Sequence, residues 1–133
     1  NVITLRYTWS GCSSATSLPS LSALSGKVTS LREAFRDCSS IVEPPVLASF
    51  TNVTDMYRAF RGCTSLTNVP QFPDANTSLV NVAQVCYLNN RMGGVVNTNL
   101  WNTNAYPNIT SFSLAFRGCT NLSNYSEIPA AWK

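Results

Sequence analysis

A short apolar stretch runs into an aromatic residue and, three positions later, into a cysteine. This unit recurs along the whole chain at nearly constant spacing. The copies start at Val2, Val28, Val53, Leu79 and Ile109, which gives periods of 26, 25, 26 and 30 residues. Superposed, the aromatic column reads Trp9, Phe35, Phe60, Cys86 and Phe116, and the column three positions on reads Cys12, Cys38, Cys63, Asn89 and Cys119. Periods of this size belong to stacked repeat architectures, in which each copy buries its apolar face only against its neighbours. The two columns are therefore read as the structural core of the repeat, and the protein as a single domain over 1–133.

Spacing within a copy suggests the elements. Val28, Leu31, Phe35 and Cys38 fall at i, i+3, i+7 and i+10, as do Val53, Met56, Phe60 and Cys63, which is the stripe of an amphipathic helix. Ser30 with Glu33 has the form of a capping box, and Asn52 and Thr54 mark the next start. Gly11, Gly62 and Gly118, with Asp37 in the same column, stand where a left-handed residue commonly closes a helix. After the Cys, the apolar columns led by Ala15 and Leu18 predict a short extended segment that Pro19, Pro45 and Pro70 terminate. The expected fold is an α/β solenoid, leucine-rich-repeat-like. It has about five repeats of 25–30 residues, with short parallel strands on one side and short helices on the other.

Composition narrows the function classes. Only 11% of residues are charged, against roughly 25% in average soluble proteins, so the surface must be built largely from Ser, Thr and Asn. The net charge of +3 is small and the basic residues are dispersed, which argues against a nucleic-acid partner. No stretch approaches the roughly 18 apolar residues of a membrane span. The chain begins at Asn1 rather than Met, and it is read as a piece of something larger.

"AFRGCTSLTNVP", from Ala59 to Pro70, and "AFRGCTNLSNYSEIP", from Ala115 to Pro129, resemble the BspA-like leucine-rich repeats of bacterial and protist surface proteins. "NVTDMYRAF", from Asn52 to Phe60, resembles the related repeat of bacterial lipoproteins and surface proteins that opens Asn-Val-Thr-x-Met. The resemblance extends over all the copies, with the first and fourth degenerate. Asn89 in the Cys column fits the wider leucine-rich pattern, in which that column takes Asn or Cys. The resemblance implies an extracellular, cell-surface scaffold used for adhesion or protein binding.

Five cysteines, no Cys-x-x-Cys pair and no His leave a zinc site or a Cys nucleophile without partners. Buried structural thiols are expected, with disulfides between neighbouring copies as the alternative. No cofactor or metal is expected. Six scattered carboxylates and no nucleophile elbow or phosphate loop argue against an enzyme.

Three features point toward binding. Asn52, Asn76, Asn108, Asn121 and Asn124 each open an N-glycosylation sequon, although helix capping and a Ser/Thr-rich composition also produce them. Arg36, Arg61 and Arg117 share one column. There they either grip an anionic partner, are compensated by Glu33 and Asp37, or complement a helix C-terminus. The fourth copy is lengthened, and its Trp101 and Tyr106 either stack on a sugar or protein partner or plug the gap left by Cys86. Tyr125 and Trp132 are expected to cap the last copy.

Two functions remain. One is a non-enzymatic extracellular adhesion module that recognises a host or neighbouring cell-surface protein or glycan through the solenoid face. The other is a structural or tip subunit of an appendage, such as a phage tail fibre in the virion or a surface filament, associating end to end through Trp9 or Trp132.

Overall fold

A computed structural model describes residues 1–73, 78–102 and 104–133. The expected α/β solenoid of about five helix-and-strand repeats is not what forms. Among the described residues there is no α-helix, and the single sheet holds two short parallel strands, β1 (Ile3–Thr4) and β2 (Val28–Ser30). Four 3₁₀ turns complete the regular structure, at Ser22–Leu24, Thr98–Trp101, Tyr125–Glu127 and Ala130–Trp132. Both elements predicted from periodicity are thus corrected. The helical stripes are runs of overlapping turns, and the segments after each Cys, predicted as extended, contribute one isolated bridge, Asn68 with Gly93.

The reason lies in where the backbone N–H groups go. Leu5, Tyr7, Trp9 and Gly11 donate to the carbonyls of Ser30, Arg32, Ala34 and Arg36 at 2.9, 3.1, 2.9 and 2.7 Å. The residues between them donate back to their own turn, as Thr8 does to Leu5 and Ser10 to Tyr7. An α-helix would spend every one of these donors internally. Here alternate donors serve the neighbouring segment, and the same alternation recurs at 31–38, 56–63 and 82–89. Residues 5–12, 31–38, 56–63, 82–89 and 112–119 therefore lie side by side as turn segments, with parallel bridges Ser30–Asp55, Asp55–Asn81 and Asn81–Ser111 at their entrances.

Local chemistry favours the turns over the helix. The entrance column of Thr4, Ser30, Asp55 and Asn81 accepts, with its side-chain oxygens, the N–H two residues on, at 3.4, 3.3, 2.9 and 3.0 Å. These short-range bonds compete with helix formation. The Ser30–Glu33 capping box is thus not formed: Ser30 Oγ serves Arg32, and Glu33 adopts φ +52°. Tyr7, Arg58, Gln84 and Leu114 share that left-handed conformation with Glu33 two residues before the aromatic column, which no helix interior accommodates. Two residues after that column, Gly11, Asp37, Gly62, Leu88 and Gly118 are left-handed as well, closing a turn rather than a helix. A Cβ at Gly62 would run into the Asp37 carboxylate.

The core follows the columns. Phe35, Phe60 and Phe116 are fully buried, and the rings of Trp9, Phe35 and Phe60 stack at 5.2 and 5.1 Å, within 9° and 13° of parallel. At Cys86 the column is small, and Phe72 from the preceding connection reaches the Phe116 ring edge-on at 6.4 Å. Two residues placed in the core by sequence depart from it: Trp9 is half-buried and Cys12 is exposed. Both lie in the turn segment at 5–12, which among the described residues bonds to the segment at 31–38.

Candidate functional site

The side chains that alternate with the core residues form two ridges along the turn segments, mostly half-buried, with Glu33 buried and Arg6, Tyr7, Asp37 and Arg117 exposed. One ridge carries Arg6–Tyr7, Arg32–Glu33, Tyr57–Arg58 and Gln84. The other carries Arg36–Asp37, Arg61, Tyr87 and Arg117. Two guanidinium groups lie over the Tyr57 ring, Arg32 at 4.3 Å and Arg58 at 4.6 Å from its centre, and Arg61 lies 5.4 Å from the ring of Tyr87. Rings beneath cations fix otherwise mobile arginines by cation–π attraction.

The three arginines singled out by column are not equivalent. Arg36 is held by Glu33 at 2.8 Å and by Asp37 at 3.0 Å, so its charge is compensated within the chain. Arg61 stands on Tyr87 and Arg117 is exposed. With no α-helix among the described residues, the reading of this column as a complement to a helix dipole falls. Arg32, which the column argument missed, pairs with Asp55 at 3.3 Å, and Arg58 donates to Gln84 at 3.0 Å. Among the described residues Arg58, Arg61 and Arg117 have no acidic partner. Tyr at positions adjacent to Arg in neighbouring copies was the signal that could have identified this ridge.

The aromatic pair of the fourth copy is not an open platform. Tyr106 is 3% exposed and its hydroxyl donates to the Pro73 carbonyl at 2.6 Å, tying the long connection down. Trp101 is half-buried, edge-on to Trp132 at 6.0 Å, and both border a cavity of about 170 Å³ beneath the chain's last turn. Trp132 stacks on Phe112 at 4.9 Å and 9°, and its carbonyl accepts from the Phe116 N–H at 2.9 Å.

The cysteines form a donor ladder. Cys38, Cys63 and Cys119 give their thiol hydrogens to the carbonyls of Trp9, Phe35 and Cys86 at 3.0, 3.0 and 2.8 Å, and Asn89 does the same to Phe60 with Nδ2 at 2.8 Å. All five cysteines are free, so the disulfides considered from sequence are not formed. Burial pushes the thiols of Cys63 and Cys119 up to about 12 and raises those of Cys38 and Cys86 as well. Under native conditions at neutral pH a thiol reagent should therefore modify Cys12 alone, rising to five groups in denaturant; mass spectrometry of the labelled chain gives the count. For Cys63 and Cys119, whose folded values exceed the ordinary value of 9.0, the stabilisation is complete below about pH 9 and is lost as pH rises toward 12.

Asn89 offers a direct check on the ladder. Its Nδ2 is satisfied, but its Oδ1 is buried without a partner among the described residues. Asn89→Cys keeps the donor and removes the orphaned acceptor, so its unfolding free energy should equal or exceed the parent's, within about 1 kcal/mol. A loss larger than that would break the equivalence of the two side chains.

The sequons divide by burial. Asn52, Asn108 and Asn121 are exposed, and Asn52 and Asn121 donate to the carbonyls of Gly26 and Arg91. Asn124 is buried, at 4% exposed, and its amide accepts from the Val96 N–H at 3.0 Å while donating to the Val96 carbonyl at 2.9 Å. A glycan on that nitrogen would break the pair. Asn76 lies outside the described residues.

Among the described residues no group of three or more His, Cys, Asp or Glu side chains could hold a metal, and no helix is long and apolar enough to cross a membrane. Compared with family models, curated proteins and solved structures, the chain matches none.

Proposed function

We propose that the protein is a non-enzymatic extracellular binding module whose Arg/Tyr ridges recognise a carboxylate-bearing partner, an acidic glycan or an acidic protein surface, at a cell surface. The observation that carries this reading is that, among the described residues, Arg58 and Arg61 of one segment and Arg117 two segments on have no acidic partner, with Arg58 over Tyr57 and Arg61 over Tyr87. Arginine forks match carboxylates in two hydrogen bonds, and ring-supported side chains lose less freedom on binding. The resemblance of the Ala59–Pro70 and Ala115–Pro129 segments to BspA-like surface proteins supports the extracellular setting. Thiols buried beneath the ridges are shielded from an oxidising medium.

The test is retention on immobilised alginate, a carboxylated polysaccharide, against neutral dextran. Retention on alginate alone, falling as salt is raised, is expected. Arg58→Gln combined with Arg61→Gln should weaken it roughly five- to tenfold, since each exposed pair is worth about 0.2–1 kcal/mol. Equal retention on the two matrices would overturn the reading.

A further inference from the structure

Backbone bonds join the segments that follow the Cys column from copy to copy, except in one place. Thr67 N–H donates to the Val42 carbonyl at 3.0 Å, Gly93 N–H to the Thr67 carbonyl at 2.8 Å and Ser123 N–H to the Gly94 carbonyl at 2.9 Å. Thr67, Val42 and Thr16 stand four residues after Cys63, Cys38 and Cys12, so the remaining bond of the series would run from the Val42 N–H to the Thr16 carbonyl. It is not made. Among the described residues the Val42 N–H finds no acceptor and the Thr16 carbonyl no donor. The first two copies are still in contact at Gly11, whose N–H meets the Arg36 carbonyl at 2.7 Å, and they part beyond it.

A cleft opens where that bond is missing. A cavity of about 270 Å³ lies between 16–18 and 42–45, and a second of about 350 Å³ adjoins it, since Leu18, Pro44 and Pro45 line both. Together they fall within the ~300–1,000 Å³ of ligand sites. Leu18, Pro19, Pro44, Pro45 and Val46 make its apolar surface, and Val46 is 73% exposed. Glu43 is the one charged residue that lines it, exposed and without a cationic partner among the described residues. Thr67 Oγ1 donates to Glu43 Oε1 at 3.0 Å and Asn68 Nδ2 to Oε2 at 2.8 Å. Neutral donors of the third copy thus fix the carboxylate in place and leave its charge uncompensated.

We infer that this cleft is a docking site for an extended peptide segment of a partner protein, one that carries a Lys or Arg among apolar residues. A strand laid between the two segments accepts from the Val42 N–H, donates to the Thr16 carbonyl and completes the interrupted series, as strand addition does at an open sheet. Its alternate side chains meet the surface of Leu18, Pro44 and Val46, and its cation meets the Glu43 carboxylate. Pro44 and Pro45 hold their wall in one conformation and bring no competing N–H, which lowers the ordering cost of binding. The cleft is built from the segments after the Cys column rather than from the Arg/Tyr ridges, and it takes the opposite charge. The inference therefore stands apart from the carboxylate partner.

Fluorescence anisotropy of a labelled octapeptide, alternating Val and Thr around one central Lys, tests this against the same peptide with Gln in place of Lys. The Lys peptide should bind roughly three- to fivefold more tightly than the Gln peptide, the size of an exposed charge pair. Glu43→Gln should remove that difference without moving the melting temperature. The chain's net charge of +3 opposes a cationic peptide, so a preference for Lys reports Glu43 rather than bulk attraction. Backbone N-methylation of the Lys peptide should abolish binding, since it takes away the donors for the Thr16 carbonyl. Equal affinity for the Lys and Gln peptides would assign the cleft to a neutral segment and overturn the inference. So would no saturable binding of the Lys peptide, a Glu43→Gln chain that still prefers Lys, or an N-methylated peptide bound as tightly as its parent.

Discussion

Phe35→Ala should lower the unfolding free energy by about 3–5 kcal/mol, the range for a core aromatic truncation. Phe35 is fully buried, with Trp9 stacked on one face of its ring and Phe60 on the other. Removing it deletes both stacked pairs, each worth about 0.5–1.5 kcal/mol beyond area burial, and leaves a cavity that left-handed turns above and below resist closing. Trp9→Ala supplies the contrast. That ring is half-buried and meets one aromatic partner, so a loss of only about 1–2 kcal/mol is expected. Urea unfolding of the two variants measures the difference. Equal losses would mean that the column does not share its packing as the stacked rings require.

The second large effect is at Asn124. Its side chain makes a two-point amide bond to the backbone of Val96, beside the Ser123-to-Gly94 backbone bond and the Asn121-to-Arg91 bond that join the same segments. Asn124→Ala strands both a buried N–H and a buried carbonyl, and each unsatisfied group costs about 1–3 kcal/mol. A total of about 2–4 kcal/mol is expected, with Asn124→Asp also destabilised because a carboxylate cannot donate to the Val96 carbonyl. Exposed Asn121, with one long bond at 3.3 Å to Arg91, should tolerate the same change within about 0.5 kcal/mol. Thermal unfolding of the three variants tests this ordering. An Asn124→Ala chain as stable as its Asn121→Ala counterpart would show that Val96 is satisfied in another way.

Sequon matching made Asn121 and Asn124 look alike, since pattern matching carries no burial. The same limit accounts for Tyr106, whose place in a lengthened copy suggested a binding platform but whose hydroxyl reaches Pro73 across 33 residues. Arg36 is the opposite case: its compensating partners Glu33 and Asp37 are close in sequence, and that pairing was legible from spacing. The stacking of Arg32 and Arg58 on Tyr57 was not, because it joins side chains of different segments.

By itself the sequence determined which residues recur together and, for the copies at 28 and 53, which of them are buried. Val28, Leu31, Phe35 and Cys38 are all fully buried, and the rings of Trp9, Phe35 and Phe60 lie on one another in the order of their column. Those features follow from side-chain hydrophobicity, which periodicity reports directly. Only the tertiary structure decided the element type. Spacings of three and four residues place side chains on one face of a helix, but a run of turns with a left-handed residue every fourth position buries the same set. The choice between them rests on whether each N–H is satisfied within its own segment or by the next one. That is a property of the assembled stack, where a neighbouring carbonyl about 2.7–3.1 Å away replaces the helical partner.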